Sequence, residues 1–189
     1  MNQMRVATGG LLAAAPDMLD ENFMHTVVLM TTHGDEGAHG LVMNRPTPLT
    51  IDKLMPSHPI LSRLSFPVHA GGPVGLDTLQ LVHRAPHRVP GSVELAAGVW
   101  LGGDLDAVAR WMEECPEEAA RDLRVVLGHS GWSAGQLEGE LAQGAWLPAK
   151  PDPEALFEGE PIVIWRRVLR SLGDHASGLS DMPPDVSWN

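Results

Sequence analysis

Residues 128–146, GHSGWSAGQLEGELAQGAW, decide the fold because they mark where a strand gives way to a helix. Ser133 and Gln136 stand three apart as a capping box, the serine oxygen and the glutamine side chain each able to satisfy an orphan N–H at the helix start. Trp132 and Leu137 flank that start as a hydrophobic staple. Glu138 and Glu140, with no base between them, lie near the positive end of the helix dipole. Leu137 and Leu141 share a face, and Gly144 offers the left-handed stop. Upstream, Leu123–Leu127 (LRVVL) is short and rich in β-branched residues. The predicted order is therefore strand, glycine turn, helix.

Working outward toward the N-terminus, the clearest strand is Met24–Thr31, whose run Val27–Met30 is apolar at every position, as in a strand covered on both faces. A second strand is predicted over His39–Met43, with THGDEGAHG as a long hairpin loop between them. His33, Asp35, Glu36 and His39 could be written as metal ligands, but so many donors in one short loop cannot easily converge, and no helical zinc spacing is present. No metal or cofactor is expected. Asn44-Arg45-Pro46 ends the second strand, since proline removes a ladder donor and holds Arg45 extended. A short helix follows from Thr50 with Ile51, Leu54 and Met55 inward. Phe66–Ala70 then runs extended into Gly71-Gly72-Pro73-Val74-Gly75, read as a tight turn because it lacks the Gly-Lys-Ser/Thr end of a phosphate loop. At the start of the chain, Gly10–Ala15 reads as a first strand, Pro16-Asp17 as a helical turn and Phe23 as inward-facing. Gly9 and Gly10 interrupt the apolar patch too early for a signal peptide.

Asp77–Arg84 and Ser92–Leu101 are further strand candidates. Asp104 or Asp106 caps a helix with Leu105, Val108, Ala109 and Met112 on one face; Pro116 ends it, and Glu117–Asp122 makes a helical turn. After Trp146 a proline-rich acidic loop leads to a last strand at Ile162–Trp165 and a final helical turn or two over Arg166–Leu172. Residues 1–173 are expected to form one domain and 174–189 a mobile tail.

Composition narrows the function classes. The chain has 189 residues, 43% of them hydrophobic, enough for one domain with a real core. Twenty-four acids against 13 bases leave a net charge of -11, with no basic patch, so direct nucleic-acid binding is disfavoured. The single Cys115 excludes an internal disulfide and suits a reducing, cytoplasmic setting. No apolar run approaches the length of about 18 residues that a membrane helix needs.

The order of several blocks resembles the YqgE/AlgH proteins of bacteria. These blocks are Gly10-Leu11-Leu12 with Ala15-Pro16, Phe23 with Thr26–Leu29 and His33, Gly37 with Gly40-Leu41-Val42, Asn44-Arg45-Pro46, Gly71–Val74, Gly131-Trp132 with Gly135–Glu138 and Glu140, and Trp146. The resemblance implies an α+β fold, a strongly bent, mixed and largely antiparallel sheet with several packed helices. It implies no settled catalytic activity, and a proposed role in transcriptional regulation for which this chain shows no helix-turn-helix.

An enzyme reading rests on Gly128-His129-Ser130-Gly131, placed between strand and helix as a hydrolase's nucleophile elbow would be. Against it, Trp132 stands where the elbow wants glycine, only His175 lies downstream as a base, and the resemblance implies that alanine is tolerated at position 130. Glu138 and Glu140 point about 200° apart around a helix and cannot form a close carboxylate pair. Trp132, Trp146 and Trp165 are read as packing residues, with nothing basic around them to make a stacking platform. A binding module is the favoured class, with Asn44, Arg45, Gly71, Gly72, Gly131 and Trp132 as ligand-site candidates. Small residues and one fixed cation at strand ends suit an acidic small molecule or a peptide carboxylate. The expectation is a non-enzymatic protein that binds such a ligand or a protein partner in a regulatory or housekeeping role, with a hydrolase at Ser130 as the alternative.

Overall fold

The computed structural model describes residues 6–173, and its organising element is a strand whose edge is shared by two partners. In chain order the strands are β1 (Leu11–Ala14), β2 (Val27–Gly34), β3 (Gly37–Val42), β4 (Pro46–Thr50), β5 (Pro67–Ala70), β6 (Val74–His83), β7 (Val93–Ala96), β8 (Val99–Leu101), β9 (Leu123–Ser133) and β10 (Trp146–Ala149). The helices are α1 (Ile51–Leu54), α2 (Leu105–Glu114), α3 (Pro116–Asp122), α4 (Gln136–Ala142), α5 (Pro153–Phe157) and α6 (Pro161–Ser171). The sheet runs β10-β1-β2-β3-β9-β6-β8-β7, with the β4–β5 pair branching from β9. Among the described residues only the β5–β9 pairing is parallel, so the sheet is mixed and largely antiparallel, as expected of this α+β chain.

The first half of β9 pairs with β5 from Val125 to Leu127, and its second half pairs with β3 from Ser130 to Ser133. Between them Gly128 turns the strand with φ +74°. The predicted glycine turn is therefore a bend inside one long strand. Gly71 and Gly72 lie directly across it: a Cβ on Gly71 would fall 2.3 Å from the Gly128 carbonyl oxygen, and one on Gly72 would fall 2.3 Å from the His129 carbonyl carbon. Residues 71–75 are thus a close backbone crossing as well as a turn.

Both faces of the β1–β3 layer are covered. Leu11, Ala13, Val27 and Leu29 face a core closed by Leu156, Phe157, Trp165 and Leu169 of α5 and α6. Their neighbours Leu12, Ala14, Val28 and Met30 face Trp132, Trp146 and Leu137 of α4. This is the physical reason for the uninterrupted apolar run of β2: period-two alternation has no polar face when both faces are buried. A third cluster packs α2 through Val108, Trp111 and Met112 against Val68, Leu81 and Val125 of β5, β6 and β9.

Several local expectations change. The hairpin between β2 and β3 is tight, with Gly34 opposite Gly37 and only Asp35-Glu36 at the tip, so His33 and His39 sit on strands. Ser92–Leu101 is a hairpin of β7 and β8, turned at Ala97-Gly98. Ile162–Trp165 is the first half of helix α6, started by Pro161, with Ile164, Trp165, Val168 and Leu169 buried on one stripe. A short apolar run carries no period to separate strand from helix. Trp146–Ala149 is a strand at the sheet edge, the position where Pro148 costs no ladder bond. Ser133 remains in β9 and the helix cap is Gly135 in the left-handed conformation. Half of the expected box survives, since the Ser133 N–H donates to Gln136 Oε1 at 3.0 Å. Asp104 caps α2 by accepting from the Ala107 N–H at 2.7 Å. The expected tail, with His175, lies outside the described residues.

Two outcomes test this account. Gly72→Ala should cost about 3 kcal/mol or more in urea unfolding because backbone must move, whereas Gly139→Ala, in α4 with open space around it, should stabilise by about 0.5–1 kcal/mol. The second concerns His69 of β5, whose buried Nδ1 has no hydrogen-bond partner. Burial, aided by the charge of Arg124, pushes its pKa from 6.5 down to about 4. The folded state thus holds this imidazole neutral where the unfolded chain protonates it, so its contribution is complete above pH 6.5 and lost as pH falls toward 4. Replacing His69 by Leu should flatten the fall in stability across that window by about 3 kcal/mol, read from urea midpoints at either end.

Candidate functional site

Asn44 and Arg45 follow β3, where the chain leaves the sheet toward β4, and each is committed to main-chain groups. Asn44 is 5% exposed. Its Oδ1 accepts from the Val27 N–H at 2.8 Å, while Nδ2 donates to the carbonyls of His25 and Pro161, both at 2.9 Å. One amide side chain thereby joins the start of β2, the loop before it and the start of α6. Arg45 donates through Nη1 to the carbonyls of Glu21 and Asn22 and through Nη2 to that of Met24. Its guanidinium is a clamp on the 21–24 loop, and burial lowers its pKa against the opposing pull of Asp20.

These bonds define the floor and one wall of an open cleft of about 380 Å³. Met24, His25, Thr26, Asn44, Arg45 and Pro46, from the segments flanking β2 and β3, line it together with Pro161 and Ile162 of α6. His25 is its unusual member. It has φ +56°, alone among the described non-glycine residues in being positive. Its ring stands edge-on to Trp165, centroids 4.7 Å apart. Burial, then the charges of Arg166 and Arg45, hold its pKa below the usual histidine range. Arg166, one turn beyond Ile162 on α6, has a buried Nε with no hydrogen-bond partner. An acidic chain has gathered two guanidinium groups around one imidazole, and one N–H is left unspent.

The six ligand-site candidates from the sequence do not share this cleft. Asn44 and Arg45 line it; Gly71 and Gly72 belong to the crossing over β9, linked to the first pair only through main-chain bonds such as Ala70 N–H to the Arg45 carbonyl. Gly131 pairs with His39, and Trp132 is 6% exposed in the core against Phe23 and Trp146. Ser130 is fully buried, and its hydroxyl donates to the Gly71 carbonyl at 3.1 Å. That position locks the crossing and offers no exposed nucleophile. Glu140 Oε2 accepts from the indole N–H groups of Trp132 and Trp146 at 2.9 and 2.8 Å, and Glu138 meets His33 at 2.7 Å, so the two glutamates do diverge. Among the described residues no three His, Cys, Asp or Glu side chains converge as a metal site. Sequence reasoning missed His25 and Arg166: a histidine before an apolar run and an arginine in a presumed strand–helix junction carry no spacing signal.

Residues 11–177 match the AlgH-like family model. The chain belongs to the AlgH-like family. Among its relatives, a UPF0301 protein of Vibrio vulnificus is 36% identical over 182 residues, covering 92% of this chain and 96% of that protein. A UPF0301 protein of Chlorobaculum tepidum is 34% identical over 175 residues, covering 93% and 91%. The solution structure of the AlgH protein of Pseudomonas aeruginosa aligns with a TM-score of 0.69 and 28% identity, covering 98% of this chain and all of that one. A crystal structure of a Corynebacterium diphtheriae protein gives a TM-score of 0.76 at 23% identity, covering 96% and 95%, a likeness of fold. Among the described residues of this AlgH-like chain no helix is long and apolar enough to cross a membrane.

Because Asn44 satisfies three main-chain groups at once, one through a buried bond and two through part-buried ones, Asn44→Ala should lower stability by about 2–4 kcal/mol in urea unfolding, beyond the usual cost of one hydrogen bond.

Proposed function

We propose that this AlgH-like protein is a non-enzymatic binding protein whose cleft takes a small acidic ligand, a carboxylate held beside His25, Arg45 and Arg166. The ligand would act in a regulatory or housekeeping role in the cytoplasm. The observation that carries the reading is the buried Arg166 Nε without a partner. A buried donor left unmade costs about 1–3 kcal/mol; Arg166 stands behind the residues that line the cleft, and a carboxylate there would remove that cost by a charge-assisted bond once the guanidinium turns toward it. The apolar members of the lining, Pro46, Pro161 and Ile162 among them, suit the carbon skeleton of such a molecule. His25 supports it too: burial, then the charges of Arg166 and Arg45, hold its pKa below the usual histidine range, and an anion beside it would favour uptake of a proton. The net charge of -11 argues that any effect on transcription runs through such a ligand or a protein partner rather than through DNA contact.

The test is thermal unfolding of the untagged chain against a panel of mono- and dicarboxylates. A binding ligand raises the midpoint in proportion to the logarithm of its concentration over its dissociation constant. The shift should vanish in Arg166→Gln, which removes the charge from a side chain whose Nε has no hydrogen-bond partner among the described residues. Absence of any shift, or a shift that Arg166→Gln leaves intact, rejects the reading.

A further inference from the structure

A second site lies on the β3–β9 ladder, away from the cleft. His39 of β3 stands directly opposite Gly131 of β9. Along a strand alternate residues share a face, so His129 is the diagonal neighbour of His39, with only the hydrogen of Gly131 between them. The nearest side-chain atom to where a Gly131 Cβ would stand is His39 Cδ2, at 3.8 Å. The two imidazoles meet with centroids 5.4 Å apart and planes tilted by 49°. Each ring is also braced from behind. Thr32 Oγ1 lies 3.2 Å from His39 Nδ1, and Gly75 packs so closely on the Nδ1–Cε1 edge of His129 that a Cβ there would fall 2.9 Å from Cε1. His39 Nε2 and both ring nitrogens of His129 are left without a described hydrogen-bond partner.

We infer that His39 and His129 chelate one divalent cation of the borderline class, Zn²⁺ or Cu²⁺, through imidazole nitrogen, with water completing the coordination. The spacing fits: with metal–nitrogen bonds of about 2.0–2.1 Å, two imidazoles on a tetrahedral ion have ring centres roughly 5 Å apart. Oxygen-preferring ions such as Mg²⁺ and Ca²⁺ find no carboxylate set here, whereas imidazole suits Zn²⁺ and Cu²⁺. The hydroxyl of Thr32 on Nδ1 is the kind of outer contact that orients a ligating histidine. The overall negative charge of the chain favours approach of a cation. Bound there, the ion would tie β3 to the outer half of β9, just beyond the Gly128 bend.

The experiment uses the full chain without a histidine tag. Zn²⁺ titrated calorimetrically should bind at one ion per chain, and Cu²⁺ should give a paramagnetic resonance spectrum with nitrogen hyperfine splitting. His39→Ala and His129→Ala should each weaken binding by about tenfold or more, the scale seen when a metal site loses one of its supporting groups. Both positions reach the surface, and circular dichroism will verify that the variants fold. His33→Ala, on the same hairpin but bonded to Glu138, should bind as the parent does. Lack of binding at millimolar metal overturns the inference. So does binding that survives the double variant His39→Ala/His129→Ala, or that depends on His33 instead.

Discussion

The fold depends on one steric constraint, the contact of bare backbone at Gly71 and Gly72 with bare backbone at Gly128–Ser130. There β9 leaves β5 and takes up β3 along the same edge. Two strands can follow one another on an edge only if the chain between them bends and the crossing segment comes within van der Waals contact. The Gly71 N–H donates to the Leu127 carbonyl at 2.8 Å, its carbonyl accepts from the Val42 N–H at 2.9 Å and from the Ser130 hydroxyl, and no side chain could be fitted among these bonds. Ser130 therefore serves the junction. Its buried hydroxyl is satisfied by the Gly71 carbonyl, which also accepts from the Val42 N–H, so serine and crossing hold each other.

From that junction the sheet curls enough for Gly9, just before β1, to lie against the backbone of Leu95 in β7, although no ladder among the described residues joins β1 to β7. The curl explains why three apolar clusters can share one sheet: both faces of β1–β3 are covered, and the β5–β6–β9 portion carries its own helices. Buried polar groups are spent on holding these layers together. Asn44 joins loop, strand and helix; the Glu140 carboxylate receives two indole N–H groups from β9 and β10. Arg166 Nε is one of a few buried side-chain atoms without a partner among the described residues, with His69 Nδ1, His83 Nε2, Trp111 Nε1 and Asp52 Oδ1, and the one that lies beside the cleft's His25. The same contrast separates Arg45, fully engaged with loop carbonyls, from Arg166.

Much of the architecture was legible from local chemistry. The covered strand β2, the Asp104 cap, the Gly144 stop with φ +76°, and the short helix at Ile51 all follow from residue type and spacing. Errors fell where two conformations satisfy the same local rule. Ile162–Trp165 is apolar enough for a strand, and only its stripe with Val168 and Leu169 against α5 and β1 makes it a helix. Ser133 is a fair cap by type, yet the strand keeps it because β3 offers Gly37 as a pairing partner. Of the candidate site, Asn44 and Arg45 were readable as a strand-ending pair; His25 and Arg166 were not, since they come together from opposite ends of the chain.

By itself, the sequence determined the element types wherever a periodic apolar pattern coincided with a cap or stop, the acidic character that opposes phosphate binding, and membership of a family through ordered glycine, proline and tryptophan blocks. Those are properties of neighbours along the chain and of sums over it. Tertiary structure alone decided that Ser130 is a buried donor, that the glycines of two distant segments make one crossing, and that His25 feels the charge of Arg166 while His39 meets His129. The reason is geometric: a pairing register moved by one residue reverses every side chain on a strand, and no local rule sets the register between segments so far apart.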